Sequence, residues 1–404
     1  MSFPIDAVRA RFPALDHRAF FDAPGGTQVC APAIERMVGH LHAGTANAGG
    51  AFATSRAVDR LSEEAHHAMA DLLGGRAEEI AFGPNMTSLT FAVSRALSRE
   101  WSAGDNLVVT RLDHDANAAP WLAVAADRAL EVRWIDFDPD TGRLNLDALP
   151  DVLDARTRLV AVGAASNALG TLNDVQGIVA TVRAHSAALV YVDAVQSVPH
   201  VRTDVVALGC DLLACSPYKF FGPHQGVLWG RADLLERIEA YKVRPASTHG
   251  AHRFETGTPS FEGQAGVLGT IDYLEWLGRE VDPAANSRRA RLLAAMQASA
   301  AHEHLLGERL LAGLADLPGL RLYGPPTMEA RVPTFAFTLA GHHPDAVAQH
   351  LASRDIFAWS GHFYAVEVIR RLGLEDRGGL VRVGLCHYST ADEVDRLTAA
   401  LQEL

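Results

Sequence analysis

Two short segments hold the residue types that could do chemistry together. Val190-Tyr-Val-Asp-Ala-Val-Gln196 ends an apolar run on Asp193, and about 25 residues later Cys215-Ser-Pro-Tyr-Lys-Phe-Phe-Gly-Pro223 sets Lys219 among aromatics. A carboxylate at the tip of a strand faces the crevice where open α/β sheets bind ligands. There it can keep a heteroaromatic nitrogen protonated, which makes the ring an electron sink. Alone, Asp193 reads equally as a helix cap. Desolvation lowers a lysine's pKa and makes it a nucleophile towards an aldehyde. Alone, Lys219 reads as a side chain whose stem packs while its ammonium reaches water.

Phe82-Gly-Pro-Asn-Met-Thr-Ser88 reads as a strand end, a Gly-Pro turn and a helix start at Thr87. The amides of Met86 and Thr87 and the Thr87 hydroxyl can then meet an anion; a plain capped helix is the alternative. Cys30, Cys210, Cys215 and Cys386 have no zinc-ligand spacing and read as buried small hydrophobes. Cys386 falls four positions after Arg382, on the same face if a strand continues that far, and a core thiol explains it as well as catalysis does. The pairs His66-His67 and His342-His343 point apart and lack carboxylates at ligand spacing, so they read as solvated surface groups and no metal is expected. Gly49-Gly50 is too short for a dinucleotide fingerprint and reads as a flexible loop lining the entrance.

These residues need a frame. Asn106 to Thr110, Leu159 to Gly163, Ala188 to Val192 and Asp211 to Cys215 have strand length, with helices ending near Leu97 and spanning Val175 to His185. Apolar strands joined by helices imply a mostly parallel sheet covered on both faces, with ligands at the strand carboxyl ends. After Phe261 the pattern turns helical, and a long helix from Asn286 to Leu314 leads to strands near Val332 to Thr338, Ile356 to Trp359 and Leu380 to Leu385. The expected division is a segment of residues 1–20 packing on the smaller domain, a large domain over 21–275 and a small α+β domain over 276–404.

With 404 residues, 48% hydrophobic and 21% charged, the composition is that of a globular protein, and the net charge is −12. No basic stripe interleaved with aromatics is present, so nucleic acid is not expected as a partner. No leader pattern opens the chain and no stretch of about 18 apolar residues follows, which predicts a cytoplasmic protein with no membrane association.

Eight motifs occur in order: Asp22-Ala23-Pro24-Gly25, Leu112-Asp-His-Asp-Ala-Asn117 with Pro120-Trp121, Ser166-Asn-Ala-Leu-Gly170, Asp193-Ala-Val-Gln196, Ser216-Pro-Tyr-Lys219, Phe254-Glu-Thr-Gly-Thr-Pro259, Ser360-Gly-His362 and Arg382. On these the chain resembles the class V aminotransferase family over nearly its whole length, and within it the cysteine desulfurase and selenocysteine lyase group. The resemblance implies the fold type I of pyridoxal-phosphate (PLP) enzymes, an α/β fold whose sheet is seven-stranded and mostly parallel, beside a smaller α+β domain. It implies PLP as cofactor, carried by Lys219 as a Schiff base, with Asp193 on the pyridine nitrogen. Gln196 would bond the phenolic oxygen, while His114 would stack on the ring and relay a proton. Tyr218 and Asn167 would touch the cofactor, and Met86, Thr87 and Ser216 its phosphate. Thr258 would reach the phosphate of the neighbouring subunit, giving a homodimer with shared active sites. Arg382 would grip the carboxylate of an amino-acid substrate, with Asn167, His362, Tyr364 and Ala23 alongside.

Departures from the pattern bear on the reaction. Desulfurases of this group carry a nucleophilic cysteine shortly after Gly-His. Here the aligned residue is Tyr364, whose phenol, with a reference pKa of about 10, is no sulfur acceptor. Trp359 stands where an arginine is usual, and Tyr218 where a histidine commonly precedes the lysine. The leading expectation is desulfurase-like or C–S β-lyase chemistry on a cysteine-related amino acid. A class V aminotransferase or isopenicillin N epimerase-like enzyme is the alternative, and a PLP-binding module without catalysis is a third, opposed by the joint presence of Lys219, Asp193, His114 and Arg382.

Overall fold

Runs of β-branched and aliphatic residues become strands whose alternate side chains enter two different cores. The computed structural model describes residues 3–404. In chain order the strands are β1 (Ala19–Phe20), β2 (Ile80–Gly83), β3 (Asn106–Thr110), β4 (Glu131–Ile135), β5 (Thr157–Gly163), β6 (Leu189–Asp193), β7 (Leu212–Cys215), β8 (Gly226–Gly230), β9 (Leu320–Tyr323), β10 (Thr334–Leu339), β11 (Ile356–Phe357), β12 (Trp359–Gly361) and β13 (Leu380–Gly384).

A seven-stranded sheet has the order β2-β8-β7-β6-β5-β3-β4. β3 to β7 are parallel to one another, and β8 is antiparallel to both its neighbours. The sheet is mostly parallel, as expected. In β6, Val190 and Val192 enter one core with helices 53–73, 175–185 and 261–281. Tyr191, between them, enters the other with helices 86–97 and 119–128. This two-sided burial is why the strands carry continuous apolar runs rather than alternating ones.

A second, antiparallel sheet has the order β12-β13-β10-β9. Its core takes Leu306, Leu310 and Leu314 from the helix Arg288–Ala315, whose first turn is capped by the Ser287 side chain. Near the start of the chain, β1 runs parallel to β11, and Ala19 and Phe21 enter this same core. The single strand expected over Ile356 to Trp359 is two: β11 pairs with β1, and β12 pairs with β13. A lone stretch of apolar residues does not show that its two ends serve different sheets.

Candidate active site

Asp193 is the last residue of β6, in register with Gly163 of β5 and Ala214 of β7. Its Oδ1 accepts from the Val195 amide at 2.9 Å. Burial raises its pKa to about 6, against the opposing effects of that amide and of Lys219. On the neighbouring strand, Cys215 ends β7 and Ser216 starts a single 3-10 turn, Pro217–Lys219. The turn carries Lys219 into the interior, where it is 8% exposed and its Nζ donates to the Pro24 carbonyl. Burial first, then the nearby Arg382 charge, lowers its pKa to about 7, with Asp193 pulling the other way. About half of the amines are therefore neutral at pH 7, the state in which lysine is a nucleophile and a base.

Lys219 opens into a cavity of about 830 Å³. Of the residues singled out from the sequence, Thr87, His114, Asn167, Tyr218, His362, Tyr364 and Arg382 line it with Lys219. Ala23, Met86, Asp193, Gln196 and Ser216 are buried but do not line the wall. Thr258 is exposed and lies apart from the cavity. The Gln196 side chain donates from Nε2 to Thr334 Oγ1 at 3.0 Å, so one of its two amide hydrogens is spent inside the protein. Helix 86–97 begins at Met86 rather than Thr87, because Asn85 is the cap and accepts from the Ser88 amide at 2.8 Å. Close by, a Cβ on Gly226 would stand 2.3 Å from the Asn85 carbonyl carbon, so only glycine lets β8 lie against this turn.

His114 is fixed by its own turn: Nδ1 accepts from the Ala116 amide at 3.0 Å, which leaves the proton on Nε2. Burial, with help from the Lys219 and Arg382 charges, lowers its pKa to about 4, so the ring is neutral at pH 7. It stacks on Tyr364, centroids 5.6 Å apart at 26°. Tyr364 and Phe363 both have left-handed backbones, φ 56° and 53°, which costs an L residue roughly 1–2 kcal/mol each. The strain is held by three contacts: Asn167 Nδ2 donates to the Phe363 carbonyl at 2.8 Å, the Asp115 amide to the Tyr364 carbonyl at 2.7 Å, and the Tyr364 amide to His362 Nδ1 at 3.0 Å.

Arg382 reaches the same space from β13, where it pairs with Trp359 and Ala336. It is buried, its guanidinium lies 4.2 Å over the Phe363 ring, and Nη1 donates to the Asn167 carbonyl at 2.9 Å. Burial lowers its pKa to about 9, which still leaves it charged at pH 7. Its Nε has no hydrogen-bond partner, and neither do Asn167 Oδ1, Gln196 Oε1 and Asp22 Oδ1, all buried. Each such atom costs about 1–3 kcal/mol unless something binds it. A buried guanidinium and a depressed lysine facing one cavity suit a small anion bearing an amino group.

Residues 19–397 match the family described as Aminotransferase class-V. The chain belongs to that family. A cysteine desulfurase of Dickeya dadantii (strain 3937) is 34% identical to this class V protein, over all of the chain and 97% of the relative. The apo structure of a cysteine desulfurase from Thermococcus onnurineus NA1 superposes with a TM-score of 0.89 at 28% identity, over all of this chain and 98% of that one. A C-DES mutant with glycine covalently linked to its PLP cofactor has a TM-score of 0.80 at 21% identity, over 98% and 99%, which speaks for the fold alone.

Within this class V frame several sequence readings change. His66 is no surface group: it is 2% exposed and its Nε2 contacts Glu255 Oε1 at 2.8 Å, while His67 is exposed. Gly49 and Gly50 do not line the cavity; their amides donate to Asp59 and Ser55. Cys386 does not follow Arg382 into the site, because β13 ends at Gly384 and the alternation of faces ends with it. All four cysteines are buried, as expected, and burial raises the Cys386 thiol above its ordinary range. One signal available in the sequence stood out too little: the chain has two lysines, Lys219 and Lys242, beside 34 arginines. Phe91, Asp115, Trp359 and Phe363 also line the cavity and had been given no role, and Asn85 had not been read as the cap beside it.

Proposed function

We propose that this chain is a PLP-dependent enzyme that cleaves the C–S bond of a cysteine-like amino acid. The observation that carries the reading is the convergence of Lys219, from the turn after β7, and Arg382, from the antiparallel sheet, on a single cavity whose lining residues Asn167 and Arg382 each keep a buried polar atom without a partner. These residues fit the cofactor. Lys219 supplies an amine for its aldehyde and Asp193 a carboxylate for its ring nitrogen. Gln196 and Asn167 offer polar atoms to its ring oxygen, and His114 and Tyr218 offer aromatic faces. The amides of Met86 and Thr87, with the hydroxyls of Thr87 and Ser216, offer donors for its phosphate. When bound, PLP withdraws electrons from the substrate Cα and so labilises the bonds around it.

The protein's own residues do the rest. Arg382 fixes the substrate carboxylate, since a guanidinium fork suits that anion and its Nε has no partner. Lys219, whose burial favours the neutral amine, takes the Cα proton. Neutral His114, with its proton on Nε2, can donate to a leaving or acceptor atom. Tyr364 closes the cavity beside His114 and keeps water away, the task its strained loop is built to hold. Among the described residues no cysteine lines the cavity, so the sulfur leaves as a hydrosulfide or persulfide anion that takes the C–S electron pair, or passes to a small-molecule thiol, rather than to a loop cysteine. The same reading takes residues 21–275 as the cofactor-binding domain and 276–404 as the smaller one, with residues 1–20 packed on the latter. It takes the working form as a cytoplasmic homodimer in which exposed Thr258 serves the neighbour's phosphate. No helix among the described residues is long and apolar enough to cross a membrane.

Borohydride reduction of the PLP-loaded chain, followed by peptide mass spectrometry, should place the label on Lys219; label on Lys242 would sink the assignment. Incubation with cysteine and cystine should then release sulfide or sulfane sulfur together with alanine or pyruvate. Amino-group exchange or loss of optical activity without sulfur release would mean that the transaminase or epimerase reading is the right one, which Tyr364 in the loop leaves chemically open.

A further inference from the structure

Away from the cavity, three groups from distant parts of the chain meet. His66 lies on helix 53–73, His252 in the 3-10 turn Gly250–Phe254, and Glu255 just after that turn. One nitrogen or oxygen of each lies within 4.8 Å of the other two. His66 Nδ1 is 2.6 Å from the Ser62 carbonyl, which can only accept, so Nδ1 carries a hydrogen. In the neutral ring Nε2 then presents a lone pair, and it points at Glu255 Oε1 from 2.8 Å. Oε1 is itself an acceptor, for the Phe82 amide at 2.8 Å. At that distance the two atoms share a hydrogen, and a tetrahedral cation taking its place would part them to about 3.3 Å, a small outward shift of the His66 or Glu255 side chain. The other carboxylate oxygen, Oε2, faces His252 Nδ1 at 3.0 Å.

The set offers two imidazoles and a carboxylate. The His66 ring is held by an outer bond from Nδ1–H to a backbone carbonyl, the arrangement that orients metal-bound histidines. His66 and Glu255 side chains are 3% and 11% exposed, while His252 is 44% exposed, so one side of the set is closed by protein and the other opens to solvent.

We propose that His66, His252 and Glu255 form a binding site for a divalent cation of the zinc class, with solvent in the remaining position. Mixed nitrogen and oxygen donors select zinc or its borderline neighbours over magnesium and calcium, which take oxygen alone. None of the three residues lines the cavity, so the ion is structural. It ties helix 53–73 and β2 to the segment that runs directly into exposed Thr256, Gly257 and Thr258. This site stands independently of the proposed reaction.

The PLP-loaded chain is stripped with a chelator, dialysed and titrated with zinc alone, with metal content read by mass spectrometry. Cobalt is used in parallel for its visible ligand-field bands. The expected result is one zinc per chain, a raised Tm, and affinity lowered at least about tenfold in His252→Ala. That residue is half-buried, so its loss spares the fold; Glu255→Gln gives a second variant that keeps the shape. No uptake by the native chain, or equal uptake by His252→Ala, overturns the proposal and leaves His66 as a doubly protonated ion pair with Glu255.

Discussion

Replacing Lys219 by methionine should stabilise the cofactor-free chain at neutral pH and remove part of its gain in stability towards alkaline pH. The unfolded lysine titrates near 10.5 and the folded one at about 7. Between those values the unfolded chain holds a proton that the folded chain lacks, so stability rises with pH across the window. Above 10.5 both states are neutral and the penalty is gone. Below about 7 both are charged, and it is at its largest. At 1.36 kcal/mol per pH unit the ceiling is about 5 kcal/mol, and relaxation around the buried ammonium leaves roughly 2–3 kcal/mol. Methionine fills a similar volume and never carries the charge. Urea unfolding of the cofactor-free native chain and Lys219→Met at pH 7.5 and pH 9.5 isolates the term, because every other titrating group is common to both. The lower limit lies above the Asp193 transition at about 6, so that carboxylate stays ionised throughout. The gap between variant and native should shrink by about 1–2 kcal/mol from pH 7.5 to 9.5. A gap that stays constant, or widens, would show that the buried amine is not the destabilising group inferred from its surroundings.

Two further outcomes follow from the site. Arg382→Lys should raise KM for the amino acid about 10–100-fold with a smaller change in kcat, the effect of losing one charge-assisted bond of about 1.5–3 kcal/mol; steady-state kinetics read the split, and a fall in kcat alone would contradict carboxylate binding. Tyr364→Gly should hold or raise Tm, because relief of a left-handed tyrosine outweighs the added freedom of the unfolded chain by about 0.5 kcal/mol, while kcat/KM falls as the cavity loses its cover; a clear drop in Tm would mean that the 67% exposed ring is holding the fold.

How far the site was legible depends on whether its geometry is local. Asp193 could be read because it ends a strand of a parallel sheet, whose period dictates where its tip points, and Lys219 because it follows the next strand by only four residues. The Val175–His185 helix was readable to its ends because Asp174 caps it and the apolar spacing is strict. His66 was misread for the opposite reason. Adjacent histidines on a helix point in different directions, so one of the pair faces the core, but which one is set by Glu255, 189 positions away. The Phe363-Tyr364 conformation is likewise invisible, since neither residue favours a left-handed backbone and contacts from Asn167, Asp115 and His362 impose it.

The same contrast explains how the site is assembled. The amine comes from the 3-10 turn that follows β7, and the carboxylate proposed for the cofactor ring ends β6, the strand beside it, so the turn as well as the strand spacing sets their separation. The guanidinium comes from the other sheet and is tied to the segment after β5 through Asn167, whose backbone carbonyl accepts from Arg382 while its side-chain amide donates to Phe363. Movement of the second sheet against the first must therefore break or carry both bonds together. In the proposed reading this couples the carboxylate grip of Arg382 to the position of the Phe363-Tyr364 loop, whose Tyr364 ring stacks on His114.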